Sequence, residues 1–145
     1  IGSEPAPLLD ELCRRGYVPV VASVGSDARG QLYNVNADTW ASHLATRLRA
    51  ECLIVAGATA GVLDATGHTM PELDDSTLVK LIREGQASAG MIAKLLACRA
   101  ARQGGVAHVA IVDGRRPAAF NLSRINRTGS TTIVADAGGR RSTAQ

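Results

Sequence analysis

Aromatic side chains are scarce: Phe120, Tyr17, Tyr33 and Trp40 are the whole supply, 3% of 145 residues. A single-strand nucleic-acid surface needs faces on which bases stack, and this chain has almost none. An excess of one charge is missing too. The 16 Lys and Arg stand against 13 Asp and Glu, a formal +3, and the basic residues are scattered, so no nucleic-acid partner is expected. No apolar run approaches the roughly 20 residues that cross a bilayer, and no charged stretch followed by an apolar one opens the chain; no membrane partner is expected. Cys13, Cys52 and Cys98 are odd in number and widely spaced, which fits neither a disulfide framework nor a zinc site. The expected setting is a reducing cytoplasm, with no bound metal. Also absent are a Walker loop, a G-x-S-x-G elbow and a paired His-x-x-x-His. His43, His68 and His108 are far apart and poor candidates for a base or ligand. The opening Ile1-Gly2-Ser3-Glu4-Pro5 carries no Met, and a processed or truncated chain is expected.

What remains suits one globular domain. A chain of this length can bury about 68–70% of the surface its unfolded form exposes. Leu8 to Arg15 reads as a short helix stopped by Gly16. Tyr17 to Val24 is almost continuously apolar, the pattern of a strand covered on both faces. Gly25 to Gly30 is a turn cluster, followed by an extended piece from Gln31 to Asn36. Trp40, Leu44 and Leu48, with Ala41 and Ala45 beside them, give an amphipathic helix over Ala37 to Arg49, and Asn36 is its N-cap candidate. Cys52 to Ala56 and Ala107 to Val112 read as buried strands, and Thr131 to Val134 as an edge strand. The stretch from Asp64 to Pro71 is a hairpin or surface excursion. Helices are expected over Ser76 to Glu84 and Gly90 to Gln103. Alternating strands and helices predict an α/β layered domain with a mostly parallel sheet.

In such sheets ligands collect beyond the carboxyl ends of the strands, so three loops carry the chemistry. Asn34, Asn36 and Asp38 could bring two amides and a carboxylate to one small polar ligand; helix capping is the plainer account. Gly57 to Gly61 is small enough for a nucleotide to approach the backbone. Gly85 to Lys94 is a glycine-bounded loop feeding a helix, with a lysine read in its first turn. There the helix dipole repels a cation, and free N–H groups plus an ammonium would bind phosphate. A surface lysine that snorkels outward is the alternative.

The ordered blocks Gly16-Tyr17-Val18-Pro19-Val20, Tyr33-Asn34-Val35-Asn36-Ala37-Asp38, Gly61-Val62-Leu63-Asp64, Gly90-Met91-Ile92-Ala93-Lys94 and Val112-Asp113-Gly114-Arg115 resemble the C-terminal half of the N-acetylglutamate kinases, within the amino acid kinase family. The similarity runs from about Pro7 to Val134. It implies a carbamate kinase-like fold, a three-layer αβα sandwich represented by its C-terminal lobe only. Residues 1–134 would form the nucleotide-binding lobe and 135–145 a flexible tail. The implied activity is transfer of the γ-phosphoryl of MgATP to the side-chain carboxylate of N-acetyl-L-glutamate, in arginine biosynthesis, with ATP and Mg2+ required. Asn34 and Asn36 match positions that hold the acetylated amino acid, Asp38 the carboxylate that orients catalytic lysines, and Lys94 the lysine on the transferring phosphoryl group. Ala58, Thr59, Gly61, Val62 and Leu63, with Gln86, Ser88, Gly90 and Met91, match the two nucleotide loops.

Two departures accompany the resemblance. The glycine-rich strand end with a second lysine, and the lobe whose arginine completes the substrate pocket, are not in this sequence; alone, the chain is expected to lack kinase activity. A homo-oligomer would form through that other lobe. In addition, Gly57-Ala58 stands where the family commonly has Thr or Ser followed by Asp. That leaves two alternatives: a non-catalytic regulatory domain like those of acetylglutamate synthases, or a kinase for a related acid such as carrier-linked aminoadipate.

Overall fold

The computed structural model describes residues 6–121 and 129–136. Helix α1 (Pro7–Arg14) leads through Gly16, at φ +81°, into an extended segment and then a two-stranded antiparallel ribbon, β1 (Val24–Ser26) and β2 (Leu32–Asn34). Asp27 closes the ribbon's turn, its carboxylate accepting the backbone N–H groups of Arg29 and Gln31. Helix α2 (Ala37–Arg47) follows, and the Asn36 side chain caps it by accepting the Thr39 N–H at 3.0 Å. The second sheet holds β3 (Cys52–Gly57), β4 (Glu72–Leu73), β5 (His108–Asp113) and β6 (Ser130–Ile133) in the order β3-β5-β6-β4. Its β3–β5 and β4–β6 pairs are parallel and β5–β6 is antiparallel, the mostly parallel α/β arrangement expected. Helices α3 (Asp75–Arg83) and α4 (Ala89–Gln103) lie between β4 and β5 in the chain.

Period-two alternation divides this sheet into two faces. On one, Leu53, Val55, Val109, Ile111 and Ile133 meet Ala45 of α2, Leu78 and Leu81 of α3, and Leu95, Cys98 and Ala101 of α4. Full burial of a leucine such as Leu78 or Leu95 contributes about 1.5–3 kcal/mol. On the other face Ala110 and Val112 pack with Cys52, Ile54 and Ala119, the last from a 3-10 turn at Pro117–Phe120. Among the described residues that turn is what covers the second face.

Two expectations are corrected. The Tyr17–Val24 run is not a buried strand: Val18 is 88% and Val20 97% exposed, and ladder pairing begins only at Val24. Apolar composition measures a tendency to be buried, whereas burial needs a partner strand, and the described residues offer none. The strand at Thr131–Val134 is not an edge. Two-residue β4, too short to give a period-two signal, takes the outer position and leaves β6 central. The helix read from Ser76 starts at Asp75, because Asp74 is its cap and accepts the Thr77 N–H. Of the expected tail, Asp136 is tied to α3 by the Ser76 N–H at 3.2 Å, and residues 137–145 lie outside the described residues.

Central β6 also anchors the loop after β3. The buried Thr131 hydroxyl accepts the Val62 N–H at 2.7 Å and donates to the Met70 carbonyl at 2.6 Å. Gly61, at φ +82°, lies so close that a Cβ there would fall 2.7 Å from the Thr131 backbone nitrogen. Gly61→Ala therefore combines left-handed strain with overpacking against backbone, and is expected to destabilise by about 2 kcal/mol or more. Urea denaturation of the variant checks this; an unchanged midpoint would show that the loop is not held as described.

Candidate active site

Strands β3 and β5 run parallel and finish side by side, Gly57 in register with Asp113. Alternation carries the helix-facing row on β3 from Leu53 and Val55 to Gly57, and on β5 from Val109 and Ile111 to Asp113. An apolar seam thus ends in a residue without a side chain beside a carboxylate, at the carboxyl ends of parallel strands. Helix α4 passes directly over this point, since a Cβ on Gly57 would stand 3.8 Å from Lys94 Cε.

Lys94 Nζ donates to both Asp38 carboxylate oxygens, at 2.9 and 3.1 Å. The side chains are only 23% and 19% exposed. Asp38 is in the first turn of α2, where the dipole favours an anion. Lys94 is the sixth residue of α4, not a first-turn residue as the sequence suggested, because capping by Ser88 starts the helix at Ala89. The dipole effect falls off within one turn, so its repulsion of the ammonium is weak, and Asp38 is the group that fixes the lysine. One turn further, burial pushes the Cys98 thiol up to about 12, helped by the Asp38 charge; it stays protonated and is no nucleophile.

At the end of β5, Asp113 is 3% exposed and holds two arginines. Its oxygens accept Arg115 Nε–H and NH2 donors at 2.8 Å each and the Arg115 backbone N–H at 3.1 Å, and Arg116 Nε lies at 3.7 Å. The Gly114 N–H donates to the Gly57 carbonyl at 2.9 Å and pins this turn to the end of β3. The Arg115 side-chain and backbone hydrogen bonds lower the Asp113 pKa from 3.8 to about 2.

A cavity of about 190 Å³ opens between the β3 loop and the start of α4. Of the expected nucleotide residues, Thr59, Val62, Leu63, Gln86, Ser88 and Met91 line it. Ala58, Gly61 and Gly90 do not: Ala58 and Gly90 are exposed on neighbouring turns, and Gly61 is packed against Thr131. Leu81 and Ala87 also line the cavity; Ala87 lies within the Gly85 to Lys94 loop singled out from the sequence, whereas Leu81 carries only the helical spacing of a core residue. The expected Asn34–Asn36–Asp38 cluster is loosened. Asn36 Oδ1 is committed to the helix cap, and Asn34, exposed at the end of β2, makes no hydrogen bond to Asp38 or Lys94. Asp113 and Arg115 enter the sequence analysis only within the block Val112-Asp113-Gly114-Arg115; the signal for them is a charged turn directly after a buried strand.

Because the folded value of Asp113 is depressed, its stabilisation is complete above the unfolded pKa near 3.8 and is lost as pH falls toward about 2. Asp113→Asn is therefore expected to lower the urea midpoint at neutral pH, with the gap to wild type narrowing across that acid window. A gap independent of pH would remove the ion pair as its cause.

The chain is similar in sequence and in fold to known proteins. The profile of the amino acid kinase family matches residues 4–113. Acetylglutamate kinases of Roseobacter denitrificans and Nostoc sp. are 37% and 39% identical to this chain over 88% of its length and 44% of theirs. The chain thus spans less than half of these curated relatives. N-acetylglutamate synthase from Neisseria gonorrhoeae complexed with coenzyme A and L-arginine aligns with a TM-score of 0.78 at 22% identity, over 88% of this chain and 30% of that one. Carbamate kinase from Giardia lamblia bound to AMP-PNP aligns at 0.65 and 17% identity, over 90% of this chain and 44% of that one. These two identities speak to the fold. With a profile match running from the first helix to the end of β5, and sequence relatives well above the range where fold alone is shared, the chain belongs to the amino acid kinase family.

Proposed function

We propose that this chain is the ATP-binding part of a cytoplasmic enzyme of arginine biosynthesis that transfers the γ-phosphoryl group of MgATP to the side-chain carboxylate of N-acetyl-L-glutamate. The observation that carries the reading is the Lys94–Asp38 contact above the joined ends of β3 and β5, with the α4 N-terminus and its cavity alongside. The identity of 36–39% to relatives called acetylglutamate kinase supports the choice of acid.

Phosphoryl transfer asks little covalent help of a protein; placing the reactants and neutralising charge on the phosphoryl oxygens do most of the work. In this reading Lys94 meets the transferring group, and Asp38 keeps the ammonium aimed. No general base is required, because the accepting carboxylate is already ionised at neutral pH. The cavity, at about 190 Å³, is smaller than the roughly 300–1,000 Å³ that encloses a drug-sized ligand, so it suits one portion of the nucleotide, such as the base. Val62, Leu63 and Met91 would cover its flat faces, with Thr59 and Gln86 offering polar contacts. Among the described residues no group of three or more His, Cys, Asp or Glu gathers as a metal cage. In this reading Mg2+ enters as part of the substrate, held by phosphates and water. Asn34 and the Asn36 amide nitrogen are assigned to the acetylated amino acid, and a homo-oligomer would assemble through the part of the relatives that this chain does not span.

Calorimetry is expected to give a heat of MgATP binding with a dissociation constant between micromolar and millimolar; a non-catalytic regulatory domain predicts none. In the protein at its native full length, Lys94→Ala is expected to lower kcat by roughly 10²–10³ while changing KM for acetylglutamate far less. Normal turnover would take Lys94 out of the mechanism.

A further inference from the structure

A second charged group stands one strand away from Lys94, and the proposed chemistry does not use it. Asp113 follows Val109 and Ile111 on the face of β5 that meets α4, and its register partner Gly57 lies under Lys94. Its carboxylate is buried, yet the Arg115 side chain it grips is 70% exposed. Arginine has five N–H donors, of which Asp113 takes Nε–H and one from Nη2; the other three are left over on a planar fork of a kind suited to phosphate. The Gly114–Gly57 hydrogen bond sets the height of this turn relative to the ends of both strands.

Charge balance separates the two groups. Lys94 and Asp38 cancel, whereas Asp113 with Arg115 and Arg116 carries a net +1. Of these two groups, among the described residues, the arginine pair is therefore the one that carries uncompensated positive charge. A side chain serving only to close a turn has no need of a buried carboxylate gripping its fork through two nitrogens. Such a grip removes the rotamer freedom that a long side chain otherwise loses when it binds a ligand.

We propose that Arg115 contacts the phosphate chain of the bound nucleotide, with Asp113 as the positioning residue that aims its guanidinium. The assignment rests on the kinase reading only for the identity of the ligand; the ligand chemistry, a polyphosphate, comes from the charge and the fork.

Calorimetry on the protein at its native full length, with ATP, adenosine and inorganic tripolyphosphate as probes, tests it. Arg115→Gln is expected to weaken ATP and tripolyphosphate roughly tenfold or more and leave adenosine unchanged. Arg115→Lys should recover part of the loss. Asp113→Asn should weaken the same two probes, with thermal unfolding confirming that each variant is folded at the temperature used. Wild-type affinity of Arg115→Gln for ATP and tripolyphosphate overturns the assignment, as does an equal loss for adenosine, which would mark a structural role. A wild-type protein that binds neither phosphate probe overturns it as well. Should tripolyphosphate bind through Arg115 while ATP and adenosine do not, the nucleotide reading fails and the phosphate contact stands.

Discussion

The working end of this domain depends on one ion pair between two helices. Lys94 of α4 and Asp38 of α2 meet at 2.9 Å over the strand end at Gly57. Taking two charges largely out of water is costly, and an interior pair of this kind adds little net stability. Its worth is directional. With Asp38 in place the ammonium has one favoured position, and with that partner gone a half-buried cation would turn toward solvent. Helix capping supports the arrangement from below, because Asn36 and Ser88 fix where α2 and α4 begin and so where Asp38 and Lys94 fall on them.

Much of the scaffold was legible because local chemistry and tertiary packing agree there. Trp40, Leu44 and Leu48 announce α2, Asn36 its start, and Gly85 the end of α3. The strands expected over Cys52 to Ala56 and Ala107 to Val112 are found at Cys52–Gly57 and His108–Asp113, both covered on the helix side by a full core. Reading failed where burial depended on something not local. The run from Tyr17 to Val21 has the composition of an inner strand and no neighbour to pair with among the described residues. β4 is two residues long, below the length at which a period can be seen, and its presence is what makes β6 central.

The site was legible in a different way. Asp38 and Lys94 are separated by 56 residues, and no periodicity links them. Only the resemblance of the surrounding blocks placed them together, and the coordinates then supplied the contact. The cavity residues Thr59, Val62, Leu63, Gln86, Ser88 and Met91 followed the same route, whereas Leu81 did not, since a leucine that walls a cavity and one that fills a core have the same spacing. Asn36 shows the opposite hazard. The residue type that binds a polar ligand is also the one that caps a helix, and here the cap occupies its oxygen. Arg115 was hidden for a further reason: an arginine after a strand looks solvated until the buried carboxylate beneath it is seen.

The bare ribbon ahead of β1 has a consequence for solubility. Val18 and Val20, almost wholly uncovered, flank Pro19. A foreign strand adding along this stretch would find apolar side chains to grip, yet at the central position it would meet a ring where an amide hydrogen should be. That missing rung would interrupt stacking of copy upon copy wherever this stretch is left uncovered.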